Sequence, residues 1–366
     1  MNASQSESLR VTIIGYGLAG AVFHAPLISS TPGLEVSGIV TSDEERRAMA
    51  RRDFPDASIL SSAGEIWHDP SRFDLVVVAT SNRSHVSLGL AAIQAGLPVV
   101  IDKPIAVTVE DARRLITAAR EHAVPLTVFQ NRRWDGDFLT VRSIVDRDLL
   151  GPIVRYESRF ERYRPTPKVD AWRESADPAD GGGLLMDLGS HLIDGALVLF
   201  GWPLDVYAEV GAYRPGAVVD DDTFVALRFP GGVHAHLWMN TVVRTLGPRF
   251  HVSGLRGTYS KYGLDPQEPA LKDGMRPGDP GWGQEPQSNW GSLSTDIDGL
   301  HIDGAVETLL GAYEHFYAQL RDALRGDGPL PVLPSESLAT LQIIEAAHES
   351  AREHRVIALP PSAIES

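Results

Sequence analysis

Two runs of the chain, L-V-V-V-A at Leu75–Ala79 and V-V-I at Val99–Ile101, are apolar at every position, and V-T-I-I at Val11–Ile14 nearly so. A strand with one wet face alternates apolar and polar residues; a strand buried on both faces does not. Leu9–Ile14, Leu34–Val40, Ser58–Leu60 and Leu126–Phe129 complete a set of short strands. Helical spacing fills the gaps, over Ala19–Ser29, Asp43–Arg52, Val86–Ala95 (stopped by Gly96) and Val109–His122. Short strands alternating with helices predict a doubly wound parallel sheet of Rossmann type.

The pattern changes at Asn131. A helix is expected at Phe138–Leu149. Strands are then expected at Ile153–Phe160, Val206–Tyr213, Thr223–Phe229, Gly232–Met239, Phe250–Ser253 and Thr258–Lys261, with few helices between them. That succession predicts an α+β domain with a largely antiparallel open sheet and helices on one face. Pro266–Ser292, rich in Pro, Gly and Trp, reads as a long irregular loop, either a lid or interface element or a passive excursion. Gly311–Arg325 and Ser335–His354 read as closing helices. The expected domains are 1–131 and 132–366.

A chain of 366 residues suits two domains. Its formal net charge of −15, without a basic helical face, argues against nucleic acid. With no cysteine there is neither a disulfide nor a thiolate zinc site, which fits a cytoplasmic location. The start, M-N-A-S-Q-S-E-S, is polar, and no uninterrupted apolar run approaches the roughly 18 residues of a membrane span, so no membrane partner is expected.

The first strand runs into G-Y-G-L-A-G, a G-x-G-x-x-G with a helix and a second strand behind it. In that context Gly15 permits the tight turn, Gly17 lets backbone approach a pyrophosphate, and Gly20 lets the helix lie close on the sheet. Tyr16, Leu18 and Ala19 belong to the same turn; the alternative is a strand–helix turn that binds nothing. Thr41 and Ser42 come directly after the second strand, with Arg46 one turn on, where an NAD site has Asp or Glu for the ribose 2′-hydroxyl. Hydroxyls, a helix start and an arginine suit a 2′-phosphate, so NADP is expected, with NAD possible. The bland reading is a helix capped by Thr41 or Ser42, its arginines solvated. Thr80 and Asn82 fall where they would line the ribose edge, and Ser84 caps the next helix. Lys103, just past a buried strand and before Pro104, points its ammonium into the crevice at the strand ends. His24 is either near this site or simply a packed polar residue.

In the second domain Asp187 and His191, four apart, share a helical face behind Gly181–Gly183. A carboxylate beside an imidazole suits proton transfer near neutral pH. The alternatives are a structural Asp–His bond or, with Asp194, a metal site that lacks a third convergent ligand. Trp172 and Arg173 either cover a nicotinamide or sugar face and bind oxygen, or pack at a domain interface.

These residues resemble the Gfo/Idh/MocA oxidoreductases. The marks are Gly15–Gly20, Asp102-Lys103-Pro104 (Asp102 standing where the family has Glu), and Gly183–His191. Further similar stretches are Phe23–Leu27, Asn131–Phe138, Arg162–Pro165, Trp172–Glu174, Asp187–Asp194 and Tyr262–Asp265 with Gln267-Glu268. The resemblance is strongest to the family's NADP-dependent inositol dehydrogenases. It implies cofactor contacts at Gly17, Thr41, Ser42, Arg46, Thr80, Asn82, His85, Asp102, Lys103, Asn131, Trp172 and Arg173. It also implies a catalytic trio of Lys103, Asp187 and His191. Asn131, Arg132, Tyr163 and Tyr313 join the trio in a polyol pocket, and the protein is a homodimer or homotetramer. The implied reaction interconverts a cyclic polyol or sugar and its ketone, with scyllo-inositol and 2-keto-myo-inositol as the favoured pair and no metal. His191 is then the base, and Lys103 and His191 converge on one carbon–oxygen bond. Rival readings are another sugar substrate, a cofactor-binding sensor without turnover, and a nicotinamide-dependent glycosidase.

Overall fold

In the computed structural model, which describes residues 8–168 and 172–361, the continuous apolar runs become the middle of a six-stranded parallel sheet. The polar N-terminal stretch and Ala171, ahead of Trp172, lie outside the described residues. The strands are β1 (Leu9–Ile14), β2 (Leu34–Val40), β3 (Ser58–Leu60), β4 (Leu75–Val78), β5 (Val99–Asp102) and β6 (Leu126–Phe129), in the order β3-β2-β1-β4-β5-β6. Winding reverses between β1 and β4, and their register pairs Ile14 with Val78 and Val78 with Ile101, so the carboxyl ends finish level. Val11, Ile13 and Val76–Val78 have no exposed surface, as strands covered on both faces require.

The connecting helices are α1 (Ala25–Ser29), α2 (Glu44–Asp53), α3 (Gly64–His68), α4 (His85–Gln94) and α5 (Val109–Glu121). The helix expected to run from Ala19 is not uniform. Ala19–His24 is wound one residue wider than an α-helix, and the N–H of Ala25 bonds Gly20 O five residues back before α1 begins. Pro26, which has no N–H to donate, accounts for this: the ordinary bonding register cannot pass through it.

The chain forms two units. The first runs through Asn131 and adds Gln267–Trp282 and Ala312–Ser337; the second takes Arg132–Pro266, Gly283–Gly311 and the chain from Leu338. Within the first, Phe316 and Tyr317 lie against Phe129, with ring centroids 4.9 and 5.9 Å away. Thr127 donates a hydrogen bond to Val332 O at 2.7 Å.

The second unit begins with α6 (Gly136–Asp146), β7 (Ile153–Glu161) and α7 (Ser190–Phe200). Its nine-stranded sheet has the order β14-β13-β12-β11-β7-β10-β9-β8-β15. The remaining strands are β8 (Asp205–Gly211), β9 (Asp222–Arg228), β10 (His234–Asn240), β11 (Phe250–Gly254), β12 (Gly257–Lys261), β13 (Gly291–Ile297), β14 (Leu300–Val306) and β15 (Ile357–Ala358). All pairs are antiparallel except β7 with β10. Along β7, Tyr156, Ser158 and Phe160 are buried, while Arg155, Glu157 and Arg159 face the opposite, half-covered side. Tyr156 meets Phe200 of α7 edge-on at 5.5 Å.

The expected irregular loop at Pro266–Ser292 is corrected. It contains α8 (Gln267–Lys272), and β13 begins at Gly291. The Oε1 of Gln267 accepts the backbone N–H of Tyr313, which precedes α9 (Glu314–Leu324), at 2.8 Å. Strands β13–β15 are not predicted; β14 is exposed on nearly every residue and therefore has no apolar alternation, and β15 is two residues long. The last helix is α10 (Pro334–Glu353). The helical run Pro178–Phe200 is long and apolar enough to cross a bilayer by length and hydropathy alone, with 61% of its apolar window buried inside the fold. That burial accounts for its composition.

A Cβ at Gly20 would stand 2.0 Å from Gly15 O, so the turn and the helix touch backbone to backbone there. We expect Gly20→Ala to lower the unfolding free energy of the protein by roughly 1–3 kcal/mol or more, read from urea titrations. Unchanged stability would show that this contact does not hold the turn.

Candidate active site

At the carboxyl edge of the parallel sheet, Gly15 takes φ +100°, and a Cβ there would meet Ala79 O at 2.6 Å. Gly17 differs. A Cβ on it would find only the Arg46 guanidinium, no nearer than 3.6 Å. The protein's own packing therefore does not require glycine at position 17, whereas close approach by a phosphate does. That fits the expected dinucleotide. Leu18 is exposed, and Tyr16 is buried beneath the turn, its hydroxyl donating to Asp53 at 3.2 Å. Burial and Asp53 push the Tyr16 phenol well above its ordinary range. Tyr16 supports the turn from inside.

Past β2, Thr41 is buried and Ser42 exposed. Neither caps α2. Asp43 does, its carboxylate accepting the N–H of Arg46 at 2.9 Å. The acid that falls late for a ribose is thus engaged by the helix start, which leaves Ser42 and Arg46 on the exposed side.

Thr80 accepts a hydrogen bond from Ser84 at 2.7 Å, so Ser84 bonds backwards instead of capping α4. Asn82 is buried. His85 is also buried, with Nδ1 2.8 Å from Pro104 O and Nε2 3.3 Å from Thr80 O. Burial holds its pKa below the ordinary value, and a neutral ring donates only once, best to the nearer Pro104 carbonyl. His85 braces two strand-end loops rather than presenting a free edge. Between those loops lies Lys103, half-buried, in a cis Lys103–Pro104 peptide. Its backbone N–H donates to its neighbour Asp102 at 2.8 Å. Buried His24 stands 4.0 Å from the other Asp102 oxygen and 2.6 Å from the Tyr317 hydroxyl. Tyr313, expected at a pocket wall, is fully buried near Phe23 and is a core residue of the first unit. Asn131 is buried at the end of the same unit.

In the second unit, Gly183 lets the chain into the helix flush against Asp220: a Cβ would lie 1.8 Å from its carboxylate, which accepts the N–H of Leu185 at 2.8 Å. Leu185–Gly189 is again wound wide, and α7 continues from Ser190. Asp187 accepts a hydrogen bond from Arg173 at 3.2 Å, and the Arg173 guanidinium lies 4.2 Å over the Trp172 ring. His191 is half-buried, with Phe160 edge-on at 6.3 Å. Asp194, a candidate metal ligand by its spacing, is bound in two-pronged fashion by Arg133 at 2.8 and 2.7 Å. Arg132 pairs with Asp135 at 3.5 Å, and Tyr163 accepts from Arg244 at 2.9 Å.

Two residues near this constellation were not singled out by sequence reasoning. Arg133 emerges only once its carboxylate partner is known. Arg162, noted only within a resembling stretch, has its pKa lowered by burial and by Arg164, with Asp187 opposing. Among the charged residues of R-F-E-R-Y-R at 159–164, nothing in the sequence marks it out.

Models of one oxidoreductase family, Gfo/Idh/MocA, match residues 9–130 (oxidoreductase family, NAD-binding Rossmann fold) and 142–359 (oxidoreductase family, C-terminal alpha/beta domain). The uncharacterized oxidoreductase YdgJ of Escherichia coli is 39% identical over 97% of this chain and 99% of its own. The scyllo-inositol 2-dehydrogenase (NADP(+)) IolW of Bacillus subtilis is 38% identical over 96% of each. The solved structure of the oxidoreductase YvaA of Bacillus subtilis superposes with a TM-score of 0.89 at 37% identity, covering 97% of this chain and 99% of that one.

Burial lowers His24 from an ordinary 6.5 to about 4. Between those values an unfolded chain binds the proton that the folded one refuses, so this histidine's contribution to stability, full above pH 6.5, is lost as the pH falls toward 4. We expect His24→Asn to flatten the fall of unfolding free energy across that window, measured by denaturant titration. Parallel slopes for variant and parent would contradict it.

Proposed function

The chain belongs to the Gfo/Idh/MocA oxidoreductases, and from that premise we propose that it is an NADP-dependent dehydrogenase interconverting a cyclic polyol and its ketone, scyllo-inositol and 2-keto-myo-inositol being the favoured pair. The observation that carries the reading is likeness to IolW along 96% of the chain, joined to a lysine at the carboxyl end of β5. A bound nicotinamide supplies the hydride acceptor. Lys103 donates a hydrogen bond to the alcohol oxygen and stabilises the negative charge that develops there. His191 takes the hydroxyl proton and returns it in the reverse direction. Asp187 sets the position of Arg173, which it already holds at 3.2 Å, and with it the polar wall that meets the remaining hydroxyls. Arg132 and Tyr163 are polar groups of the same unit available to a polyol.

The preference for NADP rests on the residues just past β2. Asp43, the first acid after β2, is engaged as a helix cap, whereas Ser42 and the Arg46 guanidinium beside Gly17 suit a 2′-phosphate. We expect Arg46→Ala to weaken NADP binding roughly tenfold and to leave NAD binding unchanged, by fluorescence titration; equal loss for both would refute the assignment. In a screen of inositol isomers and aldoses with each cofactor, scyllo-inositol with NADP should give the highest kcat/KM. An aldose as the best substrate would replace the inositol reading with a sugar one.

A further inference from the structure

Behind Lys103 the first unit buries a line of polar groups that neither the glycine turn nor the alcohol chemistry uses. His24 has no exposed surface, and neither does Tyr317, which α9 brings in from a distant part of the sequence. Their side chains meet at 2.6 Å, Tyr317 Oη to His24 Nδ1. Burial and nearby Asp102 keep the Tyr317 phenol protonated, so it either donates to Nδ1 or accepts an Nδ1–H. Burial likewise keeps His24 neutral, with a pKa of about 4. One proton remains for the ring, and with the phenol donating to Nδ1 the carboxylate favours it on the facing Nε2. That nitrogen is buried, has no hydrogen-bond partner, and faces Asp102 Oδ2 at 4.0 Å. The opposite oxygen of the same carboxylate already accepts the backbone N–H of Lys103 at 2.8 Å. Phe129 covers the imidazole, centroid to centroid at 4.4 Å.

We propose that Tyr317, His24 and Asp102 form a positioning relay for Lys103: the phenol fixes the imidazole tautomer, the imidazole N–H aims the carboxylate, and the carboxylate holds the lysine's backbone. The proposal rests on the reading of Lys103 as the group that binds the reacting oxygen. A histidine filling a greasy slot with its N–H toward nothing is a desolvation loss that Phe or Leu would avoid. At 4.0 Å the imidazole N–H and the carboxylate attract electrostatically, and with that gap closed one carboxylate would hold both Lys103 N–H and His24 N–H. On the far side His85 holds the carbonyl of Pro104, so Lys103 is gripped through both neighbours. His24 and Tyr317 are positioning residues; neither touches the reacting atoms.

The test uses the full chain and two independent readouts. Nitrogen NMR of the histidine rings, with His24 assigned by its absence in His24→Phe, should show the Nε2–H tautomer in the parent and a shift toward Nδ1–H in Tyr317→Phe. In turnover of scyllo-inositol, or of the best alcohol in the screen, Tyr317→Phe and His24→Phe should each lower kcat about tenfold or more while cofactor affinity stays unchanged. A parent ring protonated at Nδ1 overturns the relay. So does parental kcat in both variants when Lys103→Ala is inactive. If Lys103→Ala itself turns over normally, the assignment of Lys103 fails instead, and the tautomer measurement still decides the relay. Tyr317→Phe removes a single oxygen, so it keeps the test open should His24→Phe not fold.

Discussion

A parallel strand covered on both faces can carry charged side chains only at its ends. That constraint accounts for the first unit. Val11–Ile14, Leu75–Val78 and Val99–Ile101 leave no interior position for a charge, and their carboxyl ends finish level. Gly15, Thr80 and Lys103 come just after those ends and therefore share one edge. The turn is then pinned by the contact at Gly20, where helix and strand end meet backbone to backbone. The edge is preorganised by packing, so little chain entropy remains to be lost when a ligand is held there.

The second unit handles charge differently. Its carboxylates are matched to arginines: Asp187 to Arg173, Asp194 to Arg133, Asp221 to Arg214, which also reaches the distant Glu174 at 2.7 Å. Asp221 is pulled in two directions: burial raises its pKa, and the Tyr213 and Arg214 donors outweigh that and bring it below the ordinary range. A carboxylate held this way is already desolvated and oriented. It works better as a fixture for the arginine than as a mobile acid.

Much of this is legible from residue order alone, and the gaps have physical causes. The parallel sheet and the glycine turn are readable because buried strands and tight turns each demand particular residue types over a few consecutive positions. The strands of Ile153–Phe160 and Gly232–Met239 are readable because one face of each is buried, whereas β14 lacks that alternation and is invisible to it. The spacing of Asp187 and His191 indicates a shared helical face, but not that Arg173, fourteen residues earlier, donates to the carboxylate. Tyr313 and Tyr317 fall four apart in a helical stretch, and nothing in their spacing tells that one is core filling and the other reaches a buried histidine. Partners far apart in sequence carry no local signature.

The region after β2 shows how much a shift of two positions matters. An acid directly after the strand would stand where a ribose hydroxyl is read. At position 43 the same carboxylate lies at the first turn of α2, where the unsatisfied N–H of Arg46 claims it. Once engaged there, its charge offsets the positive helix start, and its second oxygen lies 4.0 Å from the guanidinium of Arg46, which stands beside Gly17. Ser42 and Arg46 are left exposed at this edge. The charge this edge presents is therefore set by where the helix begins: moving the cap changes it while keeping the residue types nearly the same.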